Sequence, residues 1–122
     1  MSRCLSRCLS PLVLVLVLLC SVSAQASCLP SDIRSKLSQI ESRFGSITIV
    51  STHRPGARMP GGRVSYHASC RAVDFNPPSG KYDAVVSWLH ANHSGGVGTY
   101  GCGMHHIHID NGPKIHFHTC AR

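Results

Sequence analysis

The residues with chemistry to offer are histidines and aspartates, and their spacing decides what they can do. Nine histidines occur in the chain, all after residue 52. In His105-His106-Ile107-His108-Ile109-Asp110 they alternate with isoleucine. Along a strand, neighbours point to opposite faces and residues two apart share one. Ile107 and Ile109 therefore turn towards a core, and His106, His108 and Asp110 turn the other way. Arg71-Ala72-Val73-Asp74-Phe75 has the same arrangement, with Val73 and Phe75 inward and Asp74 outward. If the two strands pair, Asp74 and His108 converge. His67, seven residues before Asp74 across a turn, supplies a third ligand. Two histidines and one carboxylate, with a position left open, form a catalytic zinc set. An ion so held polarises a carbonyl and lowers the pKa of a bound water to about 7. The alternatives are surface histidines beside a satisfied aspartate, or a His-rich secreted protein that sequesters metal loosely.

The elements that must position these residues are legible from periodicity. Ile33, Leu37, Ile40 and Phe44 recur at helical spacing, with Ser31 as the expected cap, Asp32 in the first turn and Gly45 as the stop. Ser46–Thr52 reads as a strand. His53–Val64 carries Pro55, Gly56, Pro60, Gly61 and Gly62 and reads as a loop. Arg71–Asn76 is a second strand, stopped by Pro77-Pro78. Tyr82–Asn92 is a second helix, with Val85, Trp88 and Leu89 on its inner stripe. Short strands are expected at Gly96–Tyr100, His105–Asp110 and Ile115–Thr119. Two main helices and a mainly antiparallel sheet give a small single α+β domain.

Residues 1–26 stand apart. Arg3 and Arg7 precede an uncharged run, Leu12 to Leu19, and Ala24-Gln25-Ala26 is a small-x-small cleavage site. That order is a secretory signal peptide, and the apolar run is shorter than the roughly 20 residues a membrane span needs. Gln25, three residues before Cys28, does not suit a lipid-anchor signal. The expectation is an exported protein, periplasmic or secreted, without a stable membrane anchor in its mature form. Removing the signal leaves residues 27–122 as one domain, with ten Lys or Arg against five Asp or Glu and a net charge of +5. That length excludes a two-domain enzyme. All nine histidines remain, with Cys28, Cys70, Cys102 and Cys120. Four cysteines in an oxidising compartment make two disulfides, and three pairings are open. The basic balance admits an anionic partner such as cell-wall polymer. The charges are scattered singly and aromatics are few, so no nucleic-acid partner is expected.

The motifs, taken together, resemble a known family. Ser65-Tyr66-His67-Ala68-Ser69-Cys70-Arg71-Ala72-Val73-Asp74 is similar to the Ser-x-His-x-x-Gly-x-Ala-x-Asp motif of the zinc D-Ala-D-Ala carboxypeptidases and murein endopeptidases. Those enzymes share their fold with the hedgehog signalling domain. Gly95-Gly96-Val97-Gly98-Thr99-Tyr100 resembles the family's Gly-Gly-Val-Gly-x-Tyr strand, and His106-Ile107-His108-Ile109-Asp110 its last metal-binding strand. Ser51-Thr52-His53-Arg54 resembles its Ser-x-Tyr-Arg segment. The resemblance runs from about Ile47 to Gly112 and implies zinc held by His67, Asp74 and His108. It implies that Arg54 faces the scissile carbonyl or a substrate carboxylate, a task suited to a fixed, always-charged fork. Ser65 is a second substrate-binding candidate, with turn capping as the alternative.

Two departures accompany the resemblance. Cys70 stands where the motif has glycine; a disulfide is expected there rather than a thiol catalyst, with Cys70–Cys102 as the pairing. Many family members carry Glu or Asp three residues before the last ligand as general base, and that position is His105. The only glutamate in the chain is Glu41, on the first helix. Histidine suits proton transfer near neutral pH. His106, sharing a face with His108, is the first choice as base and His105 the second. The resulting expectation is a monomeric, exported zinc peptidase acting on peptidoglycan stem peptides next to D-amino acids. The alternative is a zinc-binding cell-wall or protein interaction module with a degenerate peptidase site.

Overall fold

The computed structural model describes residues 28–120. The expected signal peptide and the domain boundary at residue 27 lie outside them. Helix α1 runs Ser31–Phe44 and α2 runs Tyr82–Asn92. Five strands follow the order β1 Thr48–Ser51, β2 Ala72–Asn76, β3 Val97–Tyr100, β4 Ile107–Asp110 and β5 His116–Thr119. A one-turn 3-10 helix, Tyr66–Ser69, precedes β2. The sheet order is β1-β2-β4-β3-β5, antiparallel except where β5 pairs parallel to β3. The α+β expectation therefore holds, with strand ends trimmed by a residue or two. Among the described residues, no helix is long and apolar enough to cross a membrane.

Periodicity places the core where the sequence puts it. Ile33, Leu37 and Ile40 of α1, Val85 and Leu89 of α2, Val73 and Phe75 of β2, Ile107 and Ile109 of β4 and Val97 of β3 form one buried cluster. Each such side chain contributes about 1.5–3 kcal/mol on leaving water. Trp88 packs at the edge of this cluster, half-buried, with its ring against Phe44. Helix α1 departs from expectation at its start. Pro30, not Ser31, is the cap residue: its carbonyl accepts the first helical bond from Arg34. Ser31 lies inside the first turn, where the Asp32 carboxylate accepts from the Ile33 N–H at 2.9 Å. Proline, with its preset φ of −57°, suits this boundary.

The disulfides correct the expected pairing: Cys28 bonds Cys70, and Cys102 bonds Cys120. Strand β4 is the reason. Ala72 pairs with Asp110 at one end of β4, and β3 reaches Tyr100 alongside the other end. Cys70 and Cys102 thus lie at opposite ends of a four-residue strand, on the order of 13 Å apart and out of disulfide reach. The parallel pairing of Tyr100 with Thr119 instead carries Cys102 to Cys120. Cys70 occupies the left-handed position that ends the 3-10 turn, at φ 54°, and there it meets Cys28 ahead of α1.

Candidate metal centre

The antiparallel register sets Asp74 directly opposite His108, both on the face that the alternation gives them. Both face away from the core, yet both are buried, because the 3-10 turn and the loop before it cover that side. The turn delivers His67, which is 1% exposed. One ligand atom from each of His67, Asp74 and His108 lies within 4.8 Å of the others. His67 Nε2 and His108 Nδ1 stand 3.2 and 3.0 Å from the same oxygen, Asp74 Oδ1.

The remaining ring nitrogens decide which atoms can bind a cation. His67 Nδ1 lies 2.6 Å from the Thr52 carbonyl and donates its proton there. Its Nε2 is left with a lone pair, buried and without a hydrogen-bond partner, aimed at a carboxylate. His108 Nε2 donates to Asp110 Oδ2 at 2.9 Å, which turns Nδ1 towards Asp74. Two nitrogens and a carboxylate oxygen facing one another are mutually repulsive unless a proton or cation joins them. The donor set therefore fits a divalent metal with two imidazoles and one carboxylate, each imidazole oriented by an outer acceptor. Burial would raise the Asp74 carboxyl pKa, but the His108 and His67 rings outweigh it and hold the group well below the usual carboxylate range. Burial also works against charge on His108, yet Asp110 and Asp74 prevail and raise its pKa. A metal ion held by these atoms would take the place of a proton between His108 and Asp74.

Asp110 is the participant that sequence reading placed on the correct face without giving it a task. Its Oδ1 accepts from Gly96 N at 3.1 Å and Gly112 N at 2.8 Å while Oδ2 holds His108. Close packing explains the glycine just before β3 and the one within it. A Cβ at Gly96 would run into the Asp110 carboxylate, and one at Gly98 into the Phe117 ring. The Thr52 carbonyl left no sequence signal, since any residue supplies one. His93 is buried with Nε2 2.7 Å from the Asp110 carbonyl, a structural donor with no place among the ligands.

The other expected residues divide. His106 enters the site, its Nε2 3.9 Å from Asp74 Oδ2 and its ring 4.5 Å from that of Tyr100. Burial pushes its pKa below the usual histidine value, so it is neutral at pH 7 with a lone pair available. His105, the preceding residue, is exposed and lines a separate depression with Tyr100 and Met104. Arg54 Nη2 lies 3.8 Å from Asp74 Oδ2 with its side chain 53% exposed, and its backbone N–H is tied to the His67 carbonyl. Ser65 lines the cleft, but its Oγ accepts from His67 N at 3.2 Å, the capping role. His116 and His118 are exposed on edge strand β5, where Phe117 and Thr119 face the cleft instead. His116 stacks on His90 at 3.8 Å.

His67, Asp74, His106 and His108 line a cleft of about 650 Å³. No curated protein and no solved structure matches the chain. The Peptidase M15 profile matches residues 17–110, spanning the 3-10 turn, β2 and β4 with all three candidate ligands. With that match over most of its length, the chain belongs to the peptidase M15 family of zinc peptidases.

Proposed function

We propose that the protein is an exported zinc peptidase that hydrolyses peptide bonds next to D-amino acids in peptidoglycan stem peptides, as a D,D-carboxypeptidase or a murein endopeptidase. The observation that carries this reading is the convergence of His67 Nε2, Asp74 Oδ1 and His108 Nδ1, with both outer ring nitrogens committed elsewhere. Zinc bound there supplies a Lewis acid for the peptide carbonyl and a means of making a nucleophile from water near neutral pH. His106, neutral and beside the cluster, takes the proton from the attacking water and returns it to the leaving amine. Arg54 orients the substrate through its carbonyl or terminal carboxylate. Ser65 holds the His67 turn and presents its remaining capacity to peptide in the cleft. Two disulfides, with the signal-like segment 1–26, support export.

The test is digestion of purified murein by the zinc-loaded protein, with products identified by mass spectrometry. Asp74→Ala and a chelator serve as controls. Loss of a terminal D-Ala, or of cross-linked dimers, abolished in both controls, is the expected result. A second reading, a zinc-binding module without hydrolysis, is favoured by one observation: the sole glutamate, Glu41, is exposed on α1. One tightly bound zinc with no murein product would establish that module and refute the peptidase.

A further inference from the structure

The cleft has an outer wall that the proposed chemistry does not use. Between Arg54 and Ser65 the chain forms a small hairpin. Arg58 bridges Val64, Met59 N donates to the Arg63 carbonyl at 2.8 Å, and Gly62 N to the Met59 carbonyl at 3.0 Å. Its tip is closed by Gly61 and Gly62, both at positive φ, where side-chain-bearing residues are strained. Its base is tied by Ser65 N to the Ala57 carbonyl, two residues from His67. The hairpin is thus built onto the ligand-bearing turn and adds Arg58 and Arg63 to the lining of the cleft.

The charges in that lining are one-sided. Its only acids, Asp74 and Asp110, are 3% and 5% exposed and held by histidines. Among the described residues neither Arg58 nor Arg63 has a carboxylate partner. Arg58 Nη1 donates to the Gly62 carbonyl, and Arg63 Nη2 lies 3.8 Å from Met59 Sδ. Both guanidinium groups keep further donors, and a carboxylate matches that fork geometry. Val50 and Ile115, 45% and 51% exposed, make other parts of the lining apolar. A ligand with one carboxylate satisfies Arg54 and leaves two cations unmatched.

We propose that Arg58 and Arg63 form a second carboxylate-reading subsite, so that the substrate is an acidic peptide carrying a free side-chain carboxylate away from the scissile bond. The proposal rests on the peptidase reading for its choice of ligand, and the test separates the two. Peptides ending in D-Ala-D-Ala carry glutamate one, two or three residues before that bond, each compared with its glutamine twin. Turnover is measured with zinc-loaded protein, and binding by calorimetry with chelator present.

At low salt, wild type should prefer the glutamate peptide at one spacing by about tenfold, in KM and in affinity rather than in kcat. In the Arg58→Gln/Arg63→Gln protein that ratio should collapse to within about twofold, and in Arg58→Lys/Arg63→Lys, which keeps the charge but loses the fork, it should fall to a value between the two. Screening by salt should shrink the wild-type ratio. A ratio that survives the glutamine substitutions, or wild-type binding indifferent to glutamate at every spacing, overturns the subsite. Glutamate preference in binding without any cleavage would instead refute the peptidase and leave the subsite standing.

Discussion

Replacing Asp110 by Asn tests whether an outer carboxylate sets the metal-binding nitrogen of His108. The substitution keeps the size of the side chain and one oxygen. That oxygen can still accept from Gly96 N and Gly112 N, now at 3.1 and 2.8 Å from Oδ1. The amide NH2 then faces His108 Nε2, 2.9 Å from the present Oδ2, so two donors confront each other. Relief requires His108 to move its proton to Nδ1, which removes the lone pair that converges with His67. Outer partners of this kind tune metal affinity by about 10–100-fold, equivalent to about 1.4–2.7 kcal/mol. The assay is zinc competition against a chromogenic chelator near neutral pH, with thermal melts of the metal-free proteins alongside. Asp110→Asn should lose zinc affinity by that factor while its metal-free melt stays close to wild type. Asp110→Ala should also unfold more easily, because two backbone N–H groups lose their acceptor at about 1–3 kcal/mol each. Wild-type zinc affinity in Asp110→Asn, beside lost affinity in Asp74→Asn, would refute the tautomer argument.

His106→Gln should lower kcat/KM on a cleaved peptide by about 10²–10⁴-fold, while His105→Gln should change it by less than about threefold; equal losses would remove His106 as the base. Buried His93 has its pKa lowered, by burial first, so the unfolded chain binds its proton more readily than the folded one. Its contribution is fully present above about pH 6.5 and is lost as pH falls below that value, by about 1.4 kcal/mol per unit of lowering. Metal-free wild type should therefore lose stability relative to His93→Gln in denaturant titrations as pH falls from 7 to 5. Opening Cys28–Cys70, which closes 42 residues, should cost about 4 kcal/mol, and opening Cys102–Cys120, which closes 18, about 3 kcal/mol. Urea melts of Cys28→Ser/Cys70→Ser and Cys102→Ser/Cys120→Ser check the order.

Much of the site was readable because strand alternation is strictly local. Isoleucines at 107 and 109 force 106, 108 and 110 to the other face, whatever the strand pairs with. The same rule separates Asp74 from Val73 and Phe75. Alternation could not rank His105 against His106 as base, because their roles depend on which surface borders the cleft. Burial of His106 beside Asp74 and exposure of His105 differ through Tyr100 and Met104, which stand between the two depressions. The cysteine pairing misled for a related reason. Cys70 and Cys102 are plausible partners by type and lie at opposite ends of β4 in space.

The sequence alone determined the two helices, the strands, the inward and outward residues of β2 and β4, and the candidate ligands His67, Asp74 and His108. Those depend on hydrophobic periodicity and on residue types, which are properties of neighbours in the chain. The tertiary structure alone decided the Asp74–His108 register, the disulfide partners, the Thr52 carbonyl behind His67 and the carboxylate of Asp110 behind His108. Each of these depends on distances between segments far apart in sequence. A hydrogen bond to a backbone carbonyl leaves no mark on residue type, and a parallel β3–β5 pairing leaves none on periodicity.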